Sequence, residues 1–398
     1  MVIKKAYKFR LYPNKEQQDL INKTIGCCRF VANFSIAQQK REEDYWVITN
    51  ELVQQGFLNR NNYKTKCFNK TQSIKDIVQL KKHYIWLKEV DSIALQAAVE
   101  NIADAYSRYY KKQNGKPKFK SKKNPVQSYT TKSTNNNIKV VDRYIQIPKL
   151  GFVRFANSRD INGVIKRATI RRNPSGKYFI SILAETEVNK FQETGSNIGI
   201  DVRLTKFATL SNGVQYDNPK FFRKLEKKLI KEQRILSRRK KGGCNWNKQR
   251  IKVARIHEKI ANCRADYLHK LSTEIVKSHD IIGMEDLKVK NMQQNKELAK
   301  GISEVSWYQF RVMIEYKANW YEKKFVLINP KYTSQKCNKC GYIDKNNRIS
   351  QSKFVCQSCG HTDNADVNAA KNIKELALTK IITNSFLSRT VGTTEIAW

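Results

Sequence analysis

A chain of 398 residues with 40% hydrophobic content is long enough for two or three domains with ordinary cores, which excludes a disordered chain. Its 76 Lys and Arg against 35 Asp and Glu leave a net charge of +41, far beyond what solubility requires, and a nucleic acid is the natural polyanion to neutralise it. No amphipathic anchor, lipidation signal or long apolar run supports a membrane role, and the opening MVIKKAYKFRLYPN lacks the apolar continuity of a signal peptide, so the expected setting is cytoplasmic.

Residues 3–11 alternate, with Tyr7, Phe9 and Leu11 on one side and Lys8 and Arg10 on the other, which predicts a half-buried strand ending at Pro13. Helical spacing then dominates from Asn14 to about Tyr110, with a polar interval around Gln55–Gln72 and a strongly periodic helix from Ser92 to Tyr109. Adjacent Cys27 and Cys28 lie in this pattern beside Ile21, Ile25, Val31 and Phe34, where apolar packing is the expected role. The run Tyr109–Pro125 is basic, aromatic-interleaved and broken by Gly115, Pro117 and Pro125, a linker suited to phosphate contact. Short alternating runs between Gln127 and Val188 predict a small β domain, including a hairpin of Val164–Arg172 and Lys177–Ala184 joined by Asn-Pro-Ser-Gly. If the strand at 3–11 belongs to that domain, the helical lobe is an insertion between strands.

From Asn197 the pattern becomes α/β. Asn197–Gly213 reads as two strands with a turn, and His279–Leu287 as a short buried strand ending in acid. Between them stand two long basic helices, one marked by Phe222, Leu225, Leu229 and Leu236, the next by Val253, Ile256, Ile260, Tyr267 and Leu271, separated by RRKKGGCNWN. The bland reading of that hairpin is a charged solvated face; against it, Arg238 and Arg239 cluster at the glycine break, where nucleic-acid contact is expected. Ala369, Ala370, Ile373, Leu376 and Ala377 give a last helical stripe, and beyond Leu378 no pattern is visible, so residues 379–398 read as a disordered tail.

Four cysteines, Cys337-x2-Cys340 and Cys356-x2-Cys359, have the spacing of a tetrahedral Zn2+ knuckle, whose role is expected to be structural. Lys336, Lys339, Lys345 and Arg348 nevertheless make it basic enough to touch nucleic acid. The other five cysteines show no pairing pattern, and the odd total argues against a disulfide framework. Three acids sit at element ends: Asp201 after Ile198 and Ile200, Glu285 after Ile-Ile-Gly-Met, and Asp366 at the start of the last helix. Each alone also fits a turn cap or a helix N-cap. Together, in the order strand Asp, strand-end Glu, helix-start Asp, they match an RNase H-type arrangement that hydrolyses phosphodiesters with two Mg2+ ions.

The strings GIDVRLTKFATLSNG, IIGMEDLKVKNM, TSQKCNKCGY with CQSCGH, and DNADVNAAKNI resemble the RuvC-type motifs and zinc knuckle of the TnpB family, transposon-encoded RNA-guided DNA endonucleases related to type V CRISPR effectors. The opening FRLYPNKEQQDLINKTIGCCRFVANF is similar to that family's N-terminus, so the resemblance spans Lys4 to about Leu378. It implies a multidomain α+β and α/β fold: residues 1–12 and 126–194 as a small wedge-like β-barrel, 13–125 as an inserted helical recognition lobe with its basic linker, and 195–335 as an RNase H-like (RuvC) nuclease domain. Residues 336–361 would be a zinc ribbon inserted in the nuclease domain and 362–378 its last helix. Asp201, Glu285 and Asp366 would be the catalytic, Mg2+-binding triad, and Cys337, Cys340, Cys356 and Cys359 the Zn2+ ligands. The implied partners are one guide RNA from the transposon end and a DNA duplex with a short adjacent motif, bound by a monomer in the prokaryotic cytoplasm at the nucleoid. Gln96, Thr134 and Asn135 would read that motif, against the ordinary alternative of capping and solvation.

Two positions depart from the family pattern. Ser92 stands where members carry Lys, so the motif read by this chain is expected to differ. Arg203 stands two residues after the first acid, where members commonly have Gly. It is expected to bind the scissile phosphate, to bend outward harmlessly, or to block metal and weaken cutting; the last would make the chain an RNA-guided DNA-binding repressor instead of a nuclease.

Overall fold

A computed structural model describes residues 1–59 and 67–391, so part of the Gln55–Gln72 interval and the end of the expected tail lie outside the described residues. The chain forms two units, Val2–Glu187 and a second beginning at Val188 that includes Met1. No described helix is long and apolar enough to cross a membrane.

In the first unit, β1 (Val2–Tyr12) is followed by three helices, α1 (Lys15–Gln54), α2 (Lys70–His83) and α3 (Ser92–Tyr110), before the remaining strands arrive. These are β2 (Gln127–Lys132), β3 (Lys139–Val141), β4 (Tyr144–Ile147), β5 (Gly151–Phe155), β6 (Val164–Arg172) and β7 (Tyr178–Glu187). They make one seven-stranded antiparallel sheet in the order β2-β6-β7-β1-β5-β4-β3. The helices are therefore an insertion between two strands of one sheet, β1 and β2, which β7 and β6 separate within it. Tyr7, Phe9 and Leu11 are buried on one face of β1, and α1 and α3 bring Ile21, Ile25, Val31, Leu95 and Val99 into the same core.

Local signals fix the helix starts. Asn14 accepts from the Gln17 backbone and the Gln17 side chain returns the bond, a capping box for α1. Cys27 and Cys28 are buried, and the Cys28 thiol donates to Ala94 O at 3.4 Å, joining α1 to α3. The basic linker has no helix or strand between Lys111 and Val126, and Asn33 on α1 pins it by bonding both the N–H and the carbonyl of Lys120.

The second unit is built on β8 (Asn197–Val202), β9 (Lys206–Leu210), β10 (Gln215–Asp217), β11 (Ile281–Glu285) and β12 (Lys324–Ile328) in the order β10-β9-β8-β11-β12. The first three are antiparallel; β11 and β12 run parallel to β8. Helices α4 (Phe221–Ser237) and α5 (Cys244–Ser278) fill the crossover from β10 to β11 and pack on each other through Leu229, Val253, Ile256 and Ile260. Helices α6 (Val289–Met292), α7 (Lys296–Val305) and α8 (Trp307–Trp320) lead to β12. After β12 come the cysteine loops with the hairpin β13 (Lys353–Val355) and β14 (Thr362–Asn364), and then α9 (Ala365–Val391).

Helix α9 corrects the expectation for the C-terminus. It continues through Val391, whereas the stripe was expected to stop at Leu378 and give way to a disordered tail from residue 379. The physical reason is that neither Pro nor Gly interrupts the chain before Gly392, while Ile381, Ile382 and Thr383 blur the apolar stripe without ending the helix.

The helix lies directly on the sheet. A Cβ at Gly199 in β8 would meet Ala370 O at 2.0 Å and Lys374 N at 2.6 Å, and one at Gly283 in β11 would meet Ala377 Cβ at 2.7 Å. Ala369, Ala370, Ile373 and Ala377 are buried there. Two strand glycines therefore set how closely α9 approaches the sheet. Because backbone is met at Gly199, no side chain can swing aside. Gly199→Ala is expected to destabilise the second unit by about 2 kcal/mol or more, read as a lowered Tm by calorimetry; an unchanged Tm would contradict the close approach.

Candidate functional site

Asp201 and Glu285 are neighbours because their strands are parallel and in register. Ile200 pairs with Met284, and the two acids are the next residues along β8 and β11. Asp366 reaches them from the first turn of α9. It is not the helix cap: Asn364 Oδ1 accepts from the N–H groups of Asp366 and Val367 at 2.9 and 3.2 Å, leaving the Asp366 carboxylate for other work. Asp201 and Asp366 are 5% and 7% exposed, too buried for charges merely held in solvent.

Two guanidiniums and a hydroxyl hold these acids. Arg203 Nε lies 2.7 Å from Asp201 Oδ2 and its Nη1 lies 2.7 Å from Asp366 Oδ1. Arg348, from the cysteine loop, places Nη2 3.3 Å from the same Asp366 oxygen. Arg203 thus turns inward onto the acids, which corrects the reading that it bends harmlessly away. The Thr333 hydroxyl donates to Glu285 Oε1 at 2.5 Å. A cleft of about 400 Å3 opens here, lined by Asp201, Arg203, Glu285, Trp307, Thr333 and Arg348 among others.

Burial pushes the Asp201 carboxyl upward, with Arg203 opposing it. Burial, and then the Asp201 charge, push Glu285 up to about 7, against the Thr333 bond. Such mutual repulsion is the electrostatic mark of a donor set suited to a cation.

The four cysteine thiols form a second cluster. Their Sγ atoms all lie within 4.8 Å of one another, with Cys337–Cys359 at 3.8 Å and Cys340–Cys356 at 3.5 Å. Tetrahedral Zn–S bonds of about 2.3 Å require sulfurs about 3.8 Å apart, so the cluster fits that ion. It is coupled to the acids through α9: Asn368 accepts from Asn338 N–H and donates to Lys336 O, while Asn372 donates to Thr333 O and Lys336 O. Both asparagines are fully buried.

Sequence reasoning missed Thr333, Asn364, Asn368 and Asn372 as positioning groups and gave Arg348 only a nucleic-acid contact. The available signal was polar Asn at i and i+4 inside the stripe of Ala369, Ala370 and Ile373, since a polar group in a buried stripe needs a partner.

The other expected contact residues lie elsewhere. In the first unit, Gln96 is exposed on α3, one turn before Glu100, whose carboxylate pairs with Lys132 at the end of β2. Thr134 and Asn135 are exposed in the turn that follows; Asn135 has φ +49°, and Asn137 bonds both the N–H and the hydroxyl of Thr134. No hydrogen bond joins Gln96 to that turn among the described residues. In the second unit, Arg238 is exposed at the C-cap of α4, and Arg239 donates to Asn245 O at 2.5 Å, bracing the turn into α5.

Three family models match. Residues 181–296 match one described as "Probable transposase", residues 307–373 the "Cas12f1-like, TNB domain", and residues 1–43 a "Helix-turn-helix domain", a span occupied here by β1 and the first part of α1. An Escherichia coli (strain K12) protein named "Putative RNA-guided DNA endonuclease InsQ" is 36% identical over 387 residues, covering 92% of this chain and 91% of that one. A Streptomyces pristinaespiralis "Putative RNA-guided DNA endonuclease" is 32% identical, covering 93% and 89%. The solved Cas12f1–sgRNA–target DNA complex aligns with TM-score 0.51 at 13% identity, covering 94% of this chain and 99% of that one, a likeness of fold.

The raised Glu285 pKa makes a stability prediction. Below about pH 4.5 the carboxyl is protonated folded or unfolded; as pH rises to about 7 only the unfolded chain ionises, so folding loses stability across that window. In buffer without added divalent ions, Glu285→Gln is therefore expected to stabilise the fold at pH 8 by on the order of 2 kcal/mol after allowance for part exposure, read as a higher Tm, with no gain at pH 4.5. A lower Tm at pH 8 would contradict this. With the acids placed, the cysteines clustered and near-full-length relatives above 30% identity, the chain belongs to the TnpB family of RNA-guided DNA endonucleases, with a Cas12-like fold of mixed α/β content.

Proposed function

We infer that this chain is an RNA-guided endonuclease that cuts double-stranded DNA beside a short adjacent motif, using Asp201, Glu285 and Asp366 as the catalytic triad of one RuvC-like site. The observation that carries the reading is the convergence of three carboxylates from two parallel strand ends and a helix start on a β10-β9-β8-β11-β12 sheet, the strand order of an RNase H-like nuclease domain.

The donor set fits Mg2+: the oxygens are hard carboxylates, and burial, then a neighbouring acid, raises the proton affinity of Asp201 and Glu285, so that they gain from a shared cation. Asp201, Glu285 and Asp366 would hold two such ions, which would supply Lewis acidity for phosphodiester hydrolysis. The chain's own groups do the placing. Thr333 fixes the rotation of Glu285, Asn364 frees Asp366 from capping, and Asn372 ties Thr333 to α9 so that both acids move as one body. The cysteine quartet holds Zn2+ as a structural ion that rigidifies the loop carrying Lys336 and Arg348. With one such acid cluster among the described residues, the two DNA strands are cut in turn, leaving 5′-phosphate ends.

The first unit takes the roles of a helical recognition lobe inserted in a wedge-like barrel, with Gln96, Thr134 and Asn135 reading the adjacent motif. Their exposure and small polar groups suit adenine edges. The guide RNA comes from the transposon end, one per monomer, and the net charge of +41 serves backbone contact while base pairing reads sequence. Arg238 and Arg239 at the α4–α5 turn are phosphate contacts. The setting is the prokaryotic cytoplasm, at the nucleoid.

One observation favours a second reading, a guide-directed repressor that cuts poorly: Arg203 occupies oxygens of Asp201 and Asp366. All three acids are nevertheless present, and cutting is the better-supported activity.

With guide RNA, target duplex and Mg2+, linear product is expected. Asp201→Ala, Glu285→Ala and Asp366→Ala should each lower cleavage at least about a thousandfold while guide RNA binding, read by filter retention, stays unchanged. Target binding without product in the unsubstituted protein would favour the repressor. Removal of zinc with a thiol-selective mercurial and chelator should release about one Zn2+ per chain and lower Tm; no released Zn2+ would refute the structural ion.

A further inference from the structure

Arg203 does more than neighbour the acids. Its planar fork spans carboxylates from two separate elements, one from β8 and one from α9, with both contacts at 2.7 Å. Side-chain exposure is 22% for Arg203, 6% for Asp201 and 10% for Asp366, so water screens the contacts far less than at a surface pair. It engages Asp201 Oδ2 and Asp366 Oδ1, one oxygen from each of the two elements between which a shared cation would also need ligands. Arg348 crowds the same Asp366 oxygen at 3.3 Å.

The charge count restricts what this site can hold. Even with all three carboxylates ionised, the two guanidiniums leave only one net negative charge. Adding two divalent cations while both arginines stay would leave three net positive charges among largely buried side chains. That arrangement is unfavourable unless an anion enters or a guanidinium departs. A phosphodiester is such an anion, and a guanidinium matches its oxygens in a fork-to-fork geometry.

We propose that Arg203 is a built-in competitor for the divalent cation: it holds Asp201 and Asp366 in the nucleic-acid-free protein and releases them when a DNA phosphate takes its guanidinium. Metal loading and DNA binding are then coupled, each strengthening the other by the same factor. A glycine at this position would have no such coupling. The inference rests on the reading of the acid triad as a divalent-cation site, and its test separates the two.

The experiment titrates Mn2+ into the full-length chain and reads the free Mn2+ signal by electron paramagnetic resonance. Asp201→Asn serves as the reference for ions bound elsewhere. In the absence of DNA, Arg203→Gly and Arg203→Gln are expected to bind the Asp201-dependent Mn2+ about tenfold more tightly than the unsubstituted chain. A phosphorothioate DNA oligonucleotide should then tighten Mn2+ binding in the unsubstituted chain and leave the two variants nearly unchanged. If Arg203→Gly loses its folded circular dichroism, Arg203→Gln carries the comparison. Equal or weaker Mn2+ binding in the variants overturns the competitor and leaves the metal site standing. No Asp201-dependent binding in any of the proteins overturns the metal site and the competitor together.

Discussion

The approach of α9 to the sheet is the constraint on which the second unit depends. Backbone from the helix lies against Gly199 and Gly283, at a separation that any side chain would forbid. That contact brings the first turn of α9 to the ends of β8 and β11, and so brings Asp366 to Asp201 and Glu285. The same helix carries Asn368 and Asn372, whose amides hold the backbone of Thr333, Lys336 and Asn338. One helix therefore sets three things at once: the third acid, the rotation of the second through Thr333, and the seat of the cysteine loops.

Electrostatics then decides how such a cluster exists at all. Carboxylates this buried would not stay ionised together without cations, and in this chain the cations are Arg203 and Arg348. Among the described residues Glu285 is bonded by the Thr333 hydroxyl, and burial and then the Asp201 charge raise its pKa to about 7. The arrangement is asymmetric: two acids are neutralised by guanidiniums, and the third responds by favouring its proton. A site so balanced answers to any change in local charge, whether a divalent cation or a phosphate.

Much of this was legible in the sequence, for identifiable reasons. Alternation over residues 3–11 and the Asn-Pro-Ser-Gly turn encode strand pairing locally, so β1 and the β6–β7 hairpin could be read directly. The acids stood out because a carboxylate directly after Ile-Gly-Ile or Ile-Ile-Gly-Met must emerge at the end of a buried strand. The cysteine spacing encodes its own cluster. What could not be read was long-range. That Arg203 folds back onto Asp366 depends on where a helix begun 162 residues later is set down by two glycines. The extent of α9 was missed because β-branched residues weaken the apolar stripe while leaving the helix uninterrupted.

The claim that organises all of this is that Asp201, Glu285 and Asp366 form one divalent-cation centre. Its most direct test is anomalous diffraction at the manganese edge from crystals of the protein with guide RNA and a phosphorothioate DNA substrate. The account predicts two peaks about 4 Å apart, each within bonding distance of at least two of the three carboxylates. Peaks confined to phosphates or to other acids, with none between β8, β11 and α9, would contradict it.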